Sequence, residues 1–100
     1  MSIDQKRALE IAEIHLQKMN PTRWDGTGAR PSGFDNRIAT YVVDQDMELD
    51  ISFEKEDDGW TYYCELRDSG DETLLGLLHG KGGDINSSQS LAEIIVEVCS

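Results

Sequence analysis

Residues 47–66 read MELDISFEKEDDGWTYYCEL, and the fold turns on this stretch. Met47, Leu49, Ile51 and Phe53 alternate with Glu48, Asp50, Ser52 and Glu54. After the polar link Glu56-Asp57-Asp58-Gly59 the alternation resumes as Trp60, Tyr62, Cys64 and Leu66. A period of two is that of a strand with one dry face and one wet face, so the two runs predict an antiparallel hairpin. The wet face of the first strand is almost wholly carboxylate. A solvated face needs polarity but not a single sign, and like charges along a strand cost stability. Glu48, Asp50 and Glu54 share this face, Asp57 and Asp58 follow in the link, and Tyr63 lies on the side opposite Trp60 and Tyr62. These residues are the first candidate surface for a partner.

On the N-terminal side, Leu9, Ala12, Leu16 and Met19 recur at helical spacing, with Ala8 and Ile11 widening the stripe and His15 beside it. An amphipathic helix from Ile3 to about Met19 follows. Ser2 and Gln5 fit a capping box, and Pro21 ends the helix. Residues 20–36 have no period. They hold Pro21, Gly26, Gly28, Pro31 and Gly33, with Trp24 and Phe34 embedded and arginines at 23 and 30, and Arg37 follows directly. The plain reading is a surface loop pinned by its aromatics. The sharper one is a recognition loop anchored by Trp24, since Trp and Arg concentrate binding energy at interfaces.

Ile38–Val43 is β-branched and aromatic and reads as a strand. Asp68-Ser69-Gly70-Asp71 is a turn, and Thr73–His79 reads as a short fourth strand or a helical turn, with Gly76 weakening both. Residues 86–90 offer caps, Asn86 with Gln89 or Ser90 with Glu93, to a C-terminal helix whose inner face is Leu91, Ile94, Ile95 and Val98. The order α-β-β-β-(β)-α predicts one two-layer α+β domain spanning residues 1–100. Its antiparallel sheet has three or four strands, with N- and C-terminal helices.

Composition narrows the function. The 100 residues include 20 acidic and 9 basic side chains, a formal net charge of -11. Direct nucleic-acid binding needs clustered Lys and Arg and is excluded, whereas such charge favours fast encounter with a cationic protein. The start of the chain leads into an amphipathic helix rather than an apolar run, and no stretch approaches the ~18 apolar residues of a membrane span. The expectation is a cytoplasmic protein with no membrane association. Cys64 and Cys99 are then reduced core thiols, and the acceptor sequence Asn86-Ser87-Ser88 is idle.

Several chemistries fail on their residues. Asp44-x-Asp46-x-Glu48-x-Asp50 begins like a calcium loop, but Leu49 stands where glycine is needed and Lys55 where glutamate is. Gly80-Lys81-Gly82-Gly83 lacks the upstream glycine and the following Ser or Thr of a phosphate loop. A thiol dyad of Cys64 with His15 or His79 is disfavoured, because Cys64 shares the inward register of Tyr62. No metal site, no cofactor and no catalytic residue are expected.

In size, acidity, lone α+β domain and the segment Glu56-Asp57-Asp58-Gly59-Trp60-Thr61-Tyr62-Tyr63, the chain resembles the small acidic immunity proteins that bacteria carry against toxins of contact-dependent and related secretion systems. The resemblance implies a monomeric inhibitor, not an enzyme, that neutralises a cationic toxin or effector at or beside its active site. Carboxylates at Glu48, Asp50, Glu54, Asp57 and Asp58, with Tyr63 and Trp24, would meet the toxin's basic side chains. The alternatives are an acidic secretion chaperone acting as a homodimer, and an inhibitor that mimics nucleic acid.

Overall fold

The structure, a computed structural model, describes residues 3–19, 24–25, 28–29, 38–56 and 59–100. Asp57, Asp58, the side chain of Trp24 and most of the 20–37 connection lie outside the described residues, as does Ser2 of the expected first cap.

Strands β3 (Ile38–Asp44), β4 (Met47–Glu56), β5 (Gly59–Asp68) and β6 (Leu74–Lys81) form one antiparallel meander in the order β3-β4-β5-β6. A two-stranded ribbon precedes it, β1 (Trp24–Asp25) with β2 (Gly28–Ala29). Helices α1 (Gln5–Met19) and α2 (Ser88–Val98) bracket the meander in sequence, so the α+β architecture expected from the pattern is the observed one. The ambiguous fourth segment is a full strand.

The central hairpin pairs Met47 with Asp68 at one end and Glu56 with Gly59 at the other. That register puts Leu49, Ile51, Phe53, Tyr62, Cys64 and Leu66 on one face, all buried. Both helices pack on this face. Ala8, Ile11, Ala12 and Leu16 from α1 join Leu91, Ala92, Ile95 and Val98 from α2 and the inward strand residues in one cluster. The stripe on α1 is turned by about one position from the sequence reading. His15 is fully buried in its middle, while Leu9 is half-buried at its margin.

That burial is eased because one ring nitrogen is satisfied from the sheet. His15 Nδ1 lies 2.8 Å from the Tyr41 hydroxyl, and the imidazole stacks on Phe53 at 6.0 Å between ring centres. A buried polar group without such a bond would cost about 1–3 kcal/mol. The contact ties α1 to β3 and β4 together.

The caps also differ from expectation. Asp4 caps α1, its carboxylate accepting from the Lys6 amide at 2.7 Å. Ser87 caps α2, accepting from the Ser90 amide at 3.1 Å while the Ser90 hydroxyl accepts from the Ser87 amide. This is a reciprocal box that neither expected pair forms.

Gly76, which obscured the reading of β6, has a tertiary explanation. A Cβ there would lie 2.8 Å from the Val98 carbonyl oxygen, so only glycine lets the last turn of α2 rest on the strand. The residue is small for the helix's sake, and the local pattern cannot show it.

Candidate functional site

The helices cover one face of the sheet, and no described helix covers the other. Register assigns its rows. Thr40, Asp50, Glu65 and Leu77 run across the four strands, and Val42, Glu48, Arg67 and Leu74 form the next row. Ser52, Tyr63 and His79 form a third, and Glu54, Thr61 and Lys81 a fourth. The sequence-predicted residues Glu48, Asp50, Glu54 and Tyr63 therefore lie on this one surface. Asp57, Asp58 and the Trp24 side chain cannot be placed on it, being outside the described residues.

The surface is not uniformly acidic. Arg67, near the C-terminal end of β5, reaches Asp50 with its Nε at 3.6 Å and donates from Nη2 to Glu65. Its Nη1 donates to the Glu72 carbonyl at 3.3 Å. The bond to Glu65 first, then the charges of Glu65, Asp50 and Glu72, hold the guanidinium above its ordinary pKa. Asp50 also accepts from the Thr40 hydroxyl at 2.7 Å. Asp50 and Glu65 are direct cross-strand neighbours, a like-charge pair that would repel without the cation beside it. Arg67 therefore makes the carboxylate row tenable. Glu48 and Glu54 form no ion pair among the described residues, and Glu54 is exposed.

Acidity continues past the end of the sheet. The Asp46 carbonyl accepts from the Ser69 amide at 2.9 Å, which brings the β3–β4 and β5–β6 turns together. Asp44, Asp46, Asp71 and Glu72 are exposed there, with Asp68 half-buried. Asp68 accepts from the Gly70 and Asp71 amides at 2.8 and 3.1 Å. Asp71 accepts from the Thr73 amide at 2.9 Å. Hydrogen bonds from the Thr73 side chain, then its amide, hold the Asp71 carboxyl below its usual range. The nearness of the two turns depends on the pairing of β4 with β5, which residue types alone do not give.

The rest of the face mixes Ser52, Thr61 and Lys81 with apolar and aromatic side chains. Tyr63 stacks on His79 with ring centres 5.9 Å apart, and Val42, Leu74 and Leu77 are exposed on the two edge strands. A hollow also lies between the helices. It is a groove of about 370 Å³ with Lys6 and Glu93 over Leu9, Ala92 and Val96.

Cys64 is poorly placed to act as a nucleophile. Cys64 is fully buried, and burial first, then the charge of Cys99, pushes its thiol up to about 12. It faces the helices, while His79 is on the opposite side of the sheet. Among the described residues no three His, Cys, Asp or Glu side chains are grouped so as to hold a metal ion. No described helix is long and apolar enough to cross a membrane. No protein-family model matches the chain, and no curated protein or solved structure matches it.

Proposed function

We propose that this protein binds a basic protein and that the contact centres on β4, at Glu48, Asp50 and Glu54, with Tyr63 beside them. The observation that carries the reading is the sheet face that no described helix covers, with Glu48 and Asp50 in adjacent rows and Glu54 one row further on, in a chain of net charge -11. A solvated face would not need one sign on a whole strand, and an interface is made of such a charged row beside aromatic and apolar residues. The resemblance to small immunity proteins gives this binding a purpose: neutralising a cationic toxin or effector. The carboxylates speed encounter over the Debye length, and the few that become desolvated against Lys or Arg slow release.

The test is copurification from the source cells followed by mass spectrometry, with wild type and the triple variant Glu48→Lys, Asp50→Lys, Glu54→Lys as bait. A second variant, Glu10→Lys, Glu13→Lys, Glu93→Lys, makes the same change of net charge on the helices. The reading expects a basic protein retained by wild type and by the helix variant and lost from the sheet variant. Equal recovery by all three baits overturns it.

A further inference from the structure

We propose that β6 pairs with β6 of a second copy, antiparallel about a two-fold axis at Gly76, and joins two four-stranded sheets into one of eight strands. Strand β6 is an edge: among the described residues it is paired only with β5. An open edge presents a row of backbone donors and acceptors, and proteins usually guard it with charge, proline, a bulge or short length. β6 runs eight residues, Leu74–Lys81, with no proline, and its one formal charge is at its last position. Its pairing with β5 is regular from Gly76 to Lys81, the irregularity being confined to the Leu74-Leu75 step. A chain with 20 acidic residues places none of them between Thr73 and Gly83. On this strand two equally acidic copies can meet without carboxylate facing carboxylate.

The sequence is also self-complementary. Leu74-Leu75-Gly76-Leu77-Leu78 reads the same in both directions, so antiparallel pairing about Gly76 sets leucine against leucine. Leu75 of one copy falls opposite Leu77 of the other, twice by symmetry. Both are about half exposed, at 50% and 46%, as is Leu74 at 47%. The irregularity opposite Leu66 and Arg67 turns the Leu74-Leu75 step so that both leucines remain exposed. Leu78 packs inward and anchors the strand to its own core. The contact uses the sheet edge and leaves the β4 carboxylates open, so it does not depend on the partner proposed above.

Charge sets the conditions. Two copies of net charge -11 repel over about 30 Å at 0.01 M salt and about 10 Å at 0.1 M. The monomer expected from the sequence is then the low-salt state, and the dimer is favoured as salt rises. Binding to a basic partner has the opposite salt dependence, which separates the two ideas. Sedimentation equilibrium of the whole chain at ~100 μM, in ~0.02 and ~0.5 M NaCl, reads the mass directly. The expected result is a shift from 11.2 kDa toward twice that value with added salt. Leu77→Lys should hold the mass at the monomer value in both, while Ile14→Lys, at an exposed apolar position on α1, should not. Circular dichroism confirms that each variant is folded, and Leu75→Lys repeats the test should Leu77→Lys unfold. A monomer at both salt concentrations, or a dimer that persists in the folded lysine variant, overturns the proposal.

Discussion

Raising the pH above 9 should destabilise this protein through a thiol sealed in its core. Cys64 lies under α2 on the inner face of β5 and is fully buried. Burial pushes it from the ordinary 9.0 to about 12. Below pH 9 the thiol is neutral whether the chain is folded or unfolded, and the native state has its full stability. Above pH 9 the unfolded chain ionises and the native core does not, so stability falls steadily until about pH 12. Three pH units at about 1.4 kcal/mol each set an upper bound of about 4 kcal/mol, against a total of about 5–15 kcal/mol for a small domain. Tyr41, raised by burial from 10.0 to about 12, adds to the loss only above pH 10. The interval between pH 9 and 10 therefore isolates the thiols. Urea midpoints measured under reductant should be level from pH 7 to 8.5 and then decline, and Cys64→Ala should lessen the decline between 9 and 10, the remainder coming from Cys99, whose thiol burial also raises. The same burial leaves far less thiolate at pH 8 than an ordinary cysteine has, so alkylation of native Cys64 should be much slower than that of a free thiol. A midpoint that stays level to pH 11, or Cys64 alkylated at the rate of a free thiol, would refute the reasoning and reopen a reactive role for this residue.

Two further perturbations probe the sheet. Arg67→Met should lower the melting temperature at ~0.02 M salt and recover most of the loss at ~0.5 M, because it leaves Asp50 opposite Glu65 with no cation between them. Adding Glu65→Gln should restore it at low salt, and thermal melts of the single and double variants check both. Gly76→Ala should cost about 1–3 kcal/mol in urea unfolding, since the new methyl must displace the backbone of Val98. A neutral result would mean that α2 sits further from β6.

Much of the fold was legible, for a physical reason. Strands β4 and β5 have helices on one face and no described helix on the other, so their side chains sort by polarity and the period of two survives in the sequence. What was illegible depends on contacts between elements. His15 looks marginal on α1 until Tyr41 of β3 supplies its hydrogen bond. Gly76 looks like a break until the end of α2 is laid on it. The local caps were also misread, because Asp4 and Ser87 compete with equally suitable neighbours and only the helix start decides among them.

The candidate surface was partly legible in the same way. Alternation alone places Glu48, Asp50 and Glu54 together. It does not show that Arg67 stands opposite Glu48 and binds Asp50, nor that Asp46 and Ser69 bring two acidic turns side by side. Both follow from strand register, which pairs residues some twenty positions apart.

The most direct measurement is the association rate of the purified partner with wild type and with the Glu48→Lys, Asp50→Lys, Glu54→Lys variant, followed from low to high salt. An acidic docking face on β4 requires a fast, strongly salt-dependent rate for wild type. For the variant it requires a slow rate with little salt dependence, while the helix-face variant stays close to wild type. Superimposable rates for wild type and the β4 variant across the salt range would contradict it.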